Sequence, residues 1–144
     1  MGIITVSAIC FEREDGTVLT VRKRGTHAWM LPGGKPEGGE TAAECAVREV
    51  FEELGVEIAL DRIEPMGEFV TRAANEAGFA LHASVFRTRE PILPVARAEI
   101  ESLRWIHPRS GIRDTAEAPL NRELVFPLLL AESAPQAAGD AKGA

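Results

Sequence analysis

Residues Gly34 to Val56 read GKPEGGETAAECAVREVFEELGV, and this stretch decides how the rest of the chain is to be read. Thr41 begins a T-x-x-E capping box with Glu44, and Gly55 follows Leu54 as a C-terminal stop, so a helix is predicted from Thr41 to Leu54. At about 100° per residue, Ala43, Val47, Val50 and Leu54 share one arc, the stripe that faces a core. Glu49, Glu52 and Glu53 stand at i, i+3 and i+4 on a different arc, close enough to repel one another. The helix is expected to be apolar on one side and acidic on the other.

An acidic helix face is ordinarily just a solvated surface, and an Arg48–Glu44 pair at i,i+4 would serve that reading. The charge distribution argues against it. Between Lys35 and Glu57 the chain carries Glu37, Glu40, Glu44, Glu49, Glu52, Glu53 and Glu57 against only Lys35 and Arg48, and no lysine follows Lys35 until Lys142. Most of the net charge of −6 therefore sits in one short window. A hard divalent cation would relieve the repulsion, because magnesium takes oxygen ligands from one or two carboxylates together with substrate phosphates and water. Just upstream, Gly33-Gly34-Lys35 is a glycine-rich loop that can bring backbone groups and one ammonium to a phosphate.

Working outward, Ile3–Phe11 and Thr17–Lys23 read as two strands joined by the turn Glu14-Asp15-Gly16. Trp29–Leu31 is a short strand closed by Pro32-Gly33-Gly34. Beyond the helix, Glu64–Arg72 and Phe79–Thr88 are strands separated by Ala73–Gly78, and Leu103–Ile106 is another. Asn121–Ala131 has helical character that Pro127 should kink or split after Phe126. The order β-α-β-β-β-α predicts an α/β chain with a mixed sheet packed between helices. A single domain over 1–132 is expected, with 133–144 a disordered tail of small and polar residues.

At this point the residues resemble a known family. Gly34, five residues, Glu40, seven residues, Arg48-Glu49-Val50, one residue, Glu52-Glu53, one residue and Gly55-Val56 reproduce the Nudix box G-x5-E-x7-R-E-U-x-E-E-x-G-U without departure. Seven fixed positions agree by chance on the order of once in 10⁸ starting points. The flanks Trp29-x-Leu31-Pro32-Gly33-Gly34 and Glu99-Ile100-x4-Trp105 are also typical of the family.

Resemblance to Nudix hydrolases implies an α/β/α sandwich with a mixed central sheet, whose box forms a metal-binding loop-helix-loop. It implies hydrolysis of a diphosphate linkage in a nucleoside diphosphate-X or nucleoside triphosphate substrate. The residues matching Glu49, Glu52 and Glu53 would ligate magnesium (Mg2+), with manganese (Mn2+) able to substitute, and one of them would deprotonate water. Arg48 and Glu40 would orient those ligands. The Gly33 carbonyl is a further candidate ligand, and Glu99 stands where family members often supply an extra ligand or base, with Glu101 its competitor. Arg22 and Arg24, on one face of a strand by alternation, and Lys35 and Gly34 are the candidate substrate contacts.

The remaining features bound the function. A net charge of −6 excludes non-specific binding of a nucleic-acid duplex, which needs a basic stripe. No apolar run approaches a membrane span and no basic leader precedes the first strand, so a cytoplasmic protein is expected. Cys10 and Cys45 lie in apolar segments and read as buried thiols. His27, His82 and His107 are scattered surface or packing residues, and Trp29 and Trp105 read as core. Substrate identity is open among nucleoside triphosphates (oxidised ones included), ADP-ribose-like sugars and dinucleoside polyphosphates, with selectivity assigned to the loops Ala73–Gly78 and Pro108–Asn121. Two rival readings stand beside the enzyme: a nucleotide-sensing Nudix-fold module without hydrolysis, and an acidic structural domain with no site. Oligomeric state is left open, a homodimer included.

Overall fold

The computed structural model describes residues 2–133. Among the described residues there are seven strands: β1 (Ile3–Phe11), β2 (Val18–Lys23), β3 (Trp29–Met30), β4 (Gly33–Gly34), β5 (Glu64–Arg72), β6 (Ala80–Thr88) and β7 (Ile100–Ile106). Their hydrogen bonds divide them into a mixed four-stranded sheet, β4-β1-β6-β5, and an antiparallel three-stranded sheet, β3-β2-β7. In the first, β1 runs parallel to β6 along its whole length, while β4 and β5 run antiparallel to their neighbours. Gly33 and Gly34, expected as loop, are a strand because their backbone pairs with Ala8 and Ser7.

The acidic helix α1 (Ala42–Leu54) forms as the sequence dictates. Thr41 accepts from the Glu44 N–H at 3.1 Å while the Glu44 carboxylate accepts from the Thr41 N–H at 2.9 Å, and Gly55 closes the helix in the left-handed region at φ 69°. Its last carbonyls are also tied from outside, since Val95 N–H donates to Leu54 O at 3.0 Å and Arg97 N–H to Glu53 O at 2.9 Å. The buried side is rotated from the expected arc: Cys45, Ala46, Val50, Glu53 and Leu54 are buried, whereas Ala43 and Val47 are only partly so. One of the three acids thus lies on the core side, and the division into an apolar and an acidic face fails at Glu53.

α1 packs over Ile9, Phe11, Leu19, Val21 and Phe86, which makes one core layer. A second layer lies on the opposite sheet face, where Ala8, Cys10, Val18 and Val85 meet Leu120, Val125, Phe126 and Leu129. Helices on both faces give the α/β/α sandwich. The four-residue helix α2 (Pro108–Gly111) was not expected. The final helical segment is divided between Val125 and Phe126, one residue before the expected split: residues Leu120–Val125 form a π-helical turn, in which Phe126 N–H reaches back to Asn121 O, and α3 (Phe126–Ser133) follows. Proline has no N–H to give the Glu123 carbonyl, so regular α bonding cannot pass through it. Ser133 belongs to α3, and the expected tail at 134–144 lies outside the described residues. No described helix is long and apolar enough to cross a membrane.

Candidate active site

The two glycines before α1 set the site by what they leave out. A Cβ on Gly33 would lie 2.1 Å from the Ser7 carbonyl oxygen and 2.7 Å from Ala8 Cα, so only hydrogen lets β4 approach β1. A Cβ on Gly34 would lie 2.3 Å from the Glu49 carboxyl carbon. Gly34 therefore makes room for a carboxylate of the box, a use of glycine that differs from the close approach to phosphate read from the sequence.

The three acids are held in three different ways. Glu52 is exposed, with its side chain 52% accessible. Glu49 is half-buried, and burial raises its pKa above the ordinary carboxylate range against the opposing pull of Arg48. Glu53 is 2% exposed. Its Oε1 accepts from Gly33 N–H at 3.2 Å, while Oε2 is buried with no partner. Burial pushes its pKa up to about 8, with Lys23 and the Gly33 N–H pulling the other way.

Arg48 gathers the rest of the box. Its guanidinium donates to both Glu40 oxygens at 2.5 and 3.0 Å, to Glu49 at 3.0 Å, to Glu52 at 3.3 Å and to the Lys35 carbonyl at 3.1 Å. The expected Arg48–Glu44 pair is absent because Glu44 is spent on the capping box. Cys45 is buried against the Gly34 carbonyl at 3.4 Å and is a packing thiol, as is Cys10.

A cleft of about 440 Å³ opens beside these residues. Gly33, Gly34, Lys35, Glu49 and Glu99 line one part of it, and Met30, Leu31, Ala118, Leu120 and Asn121 another. The loop residues Ala73–Glu76 complete the wall. Glu99, and not Glu101, faces the cleft. Between β2 and β7 the register shifts at Arg22/Lys23, leaving Glu101 as the extra residue, and Glu101 turns to Arg22 at 3.2 Å.

The strand-end cations are also sorted differently from the sequence expectation. Arg22 is spent on the Thr26 carbonyl at 2.9 Å, Glu101 and Ser102, and Arg24 is exposed outside the cleft lining. Lys23 takes the place assigned to them, lining the cleft 3.4 Å from Glu99. The signal was present: Leu19 and Val21 point into the α1 core layer, and Lys23 continues that row by alternation. Trp29 and Trp105 are half-buried and covered by Arg104 and Arg13 at 4.4 and 3.7 Å, away from the cleft.

The donor set fits a hard divalent cation. It consists of carboxylate oxygens, and Glu53 Oε2 is a buried acceptor that nothing within the chain satisfies. No group of three or more His, Cys, Asp or Glu among the described residues already stands together as an ion site. Glu49 and Glu52 are instead turned onto Arg48.

Because Glu53 has its folded pKa raised above its unfolded value, it favours folding most below about pH 4.5. That contribution is lost as the pH rises through about 8. Denaturant titration in EDTA is expected to show stability falling from pH 5 to pH 8, and Glu53→Gln should flatten that fall. An equal slope in both proteins would mean that Glu53 is not the group responsible.

Fold and site together define an α/β/α sandwich whose acidic loop-helix-loop opens on a cleft carrying lysines. The NUDIX domain model matches residues 2–126, and the chain belongs to the Nudix family. A MutT-like protein of Streptomyces ambofaciens is 35% identical over 98 residues, 67% of this chain and 58% of that protein. An RNA pyrophosphohydrolase of Sodalis glossinidius is 48% identical over 42 residues, 29% of this chain and 24% of that protein. The matches therefore cover less than two thirds of the length of these relatives. The MutT protein of Methanosarcina mazei Go1 has the same fold, with a TM-score of 0.75 at 20% identity over 93% of this chain and 97% of that structure.

Proposed function

We propose that the chain hydrolyses a diphosphate linkage in a nucleotide-like small molecule, with magnesium or manganese as cofactor. The observation that carries this reading is Glu53: a buried carboxylate with one oxygen unpartnered, held by the N–H of Gly33 behind a cleft that Gly33, Glu49 and two lysines line. A buried carboxylate oxygen without a partner calls for a group that satisfies it, and a bound cation does so. Family membership and the pyrophosphohydrolase among its relatives support the same chemistry.

A divalent cation bound by Glu53, Glu49 and Glu52, with Glu99 as a further donor, would polarise the phosphoryl oxygens and lower the pKa of an attacking water. The chain itself supplies the remaining parts. Lys23 and Lys35 offset the charge of the diphosphate. One of the box acids Glu49, Glu52 and Glu53 would take the proton from that water. Arg48 and Glu40 hold Glu49 from behind. At the far part of the cleft, the apolar Leu31, Ala118 and Leu120 with the amide of Asn121 form a wall suited to a nucleoside.

The test is a panel of nucleoside triphosphates, ADP-ribose-like sugars and dinucleoside polyphosphates incubated with magnesium or manganese. Release of phosphate, pyrophosphate or nucleoside monophosphate names the substrate and the phosphorus attacked. No turnover across the panel, with binding retained, would favour the sensing module. Independently, magnesium at a hundredfold excess over its Kd should stabilise the protein by about 2.7 kcal/mol, a rise of several degrees in Tm. An unchanged Tm in wild type, with calcium and manganese equally silent, would favour the domain without a site.

A further inference from the structure

Under the cleft lies a charged group that this chemistry does not use. Glu117 is 1% exposed, and every contact of its carboxylate is internal. Oε2 accepts from Arg104 at 2.6 Å and from the Thr20 hydroxyl at 3.3 Å, while Oε1 accepts from Asn121 Nδ2 at 2.9 Å. Arg104 is itself steadied by Asp114 at 2.7 Å and by the face of Trp29. Burial raises the Glu117 pKa above the ordinary carboxylate range while Arg104, Asn121 and Thr20 pull the other way, and in this geometry both of its oxygens accept.

The consequence falls on Asn121, which is fully buried and lines the cleft. Its Nδ2 has two protons, and both are committed: one to Glu117, the other to the Trp29 carbonyl at 3.2 Å. Turning the amide over would set its oxygen against two acceptors. The orientation is therefore fixed, and what remains is Oδ1, buried with no partner in the chain. Asn121 is a residue of the cleft wall, and its unpaired acceptor would be satisfied by a donor from an occupant of the cleft.

We infer that Glu117 is a positioning residue for substrate selection. By locking the Asn121 amide with its oxygen unspent, it makes the cleft prefer a base that presents an N–H, such as an exocyclic amine, over the same base without it. Glu117 touches no ligand and acts only through Asn121. The inference rests on the proposed nucleotide reading of the cleft and names the feature of the base that is read.

Calorimetry on the full chain in EDTA separates the two. The probes are AMP, GMP and CMP, each paired with the analogue whose exocyclic amine is replaced by hydrogen: purine riboside monophosphate, IMP and pyrimidin-2-one riboside monophosphate. Wild type should bind the amine-bearing member of at least one pair about tenfold more tightly or better. In Glu117→Gln, an amide nitrogen can face Asn121, the lock is lost, and that ratio should fall below about threefold. A variant that weakens both members alike and keeps the ratio would show Glu117 to be merely structural and overturn the inference, as would a wild type that binds but does not discriminate. A wild type that binds none of the six removes the nucleotide reading itself. Should Glu117→Gln not fold, nuclear Overhauser contacts in the wild-type AMP, GMP or CMP complex decide. Asn121 Nδ2 protons close to Trp29 support the lock, and the same protons close to the base overturn it.

Discussion

Glu53→Gln is expected to lower kcat by about a hundredfold or more, with little change in the melting temperature of the metal-free protein. The substitution preserves shape and the bond from Gly33 N–H, but it removes the charge and the basic site. Because the native carboxylate is buried and costly as an anion, the amide should leave fold stability at neutral pH equal or improved. The measurement is steady-state turnover of whichever diphosphate the panel identifies, read beside a thermal melt in EDTA. Turnover within a fewfold of wild type would remove Glu53 from the reaction. Glu52→Gln provides the contrast: its side chain is half-exposed, so its loss leaves the core packing intact, and a fall in kcat reports on ligation, proton transfer or the lost ion pair with Arg48.

The second large effect separates neighbouring glycines. In Gly33→Ala the new methyl meets backbone, the Ser7 carbonyl and Ala8 Cα, and neither can retreat without breaking β1. A loss of about 3 kcal/mol or more is expected, enough to unfold a marginal domain. In Gly34→Ala the methyl's nearest contacts are with the end of the Glu49 side chain, which can swing away. That variant should keep its Tm within a few degrees yet lose turnover by about tenfold or more, since the displaced carboxylate no longer stands at the cleft. The pair is checked by denaturation and by activity on the same preparations. Equal stability of the two variants would mean that β4 is not packed on β1 as described.

How far the site could be read in advance depended on whether its parts are local. Thr41, Glu44 and Gly55 act within one turn of the chain, so both ends of α1 follow from spacing alone. The box residues also lie on one helix, and their proximity needs no tertiary knowledge. The burial of Glu53 was hidden because it depends on β4, a strand of two glycines with no side-chain pattern to declare it. The choice of Glu99 over Glu101 turns on a single unpaired residue between β2 and β7, and a register shift leaves no mark in composition. Asn121 and Glu117 meet four residues apart where the chain enters the π-helical turn, a geometry that no sequence pattern declared. Regular alternation served where strands pair evenly and failed where a bulge or close glycine packing intervened.

The strap at Val95 and Arg97 changes what α1 can do under electrostatic stress. A helix crowded with like charges usually frays from its end, letting the acids separate at small cost. Here the terminal carbonyls of Glu53 and Leu54 are engaged by that strap, so the last turn cannot unwind unless residues 95–97 peel off with it. Amide hydrogens of the final turn should therefore exchange with solvent as slowly as those at the middle of the helix, in one cooperative unit with the strap. The acids are thereby kept at fixed spacing in a rigid element instead of drifting apart by local melting, and they stay in place for whatever positive charge arrives.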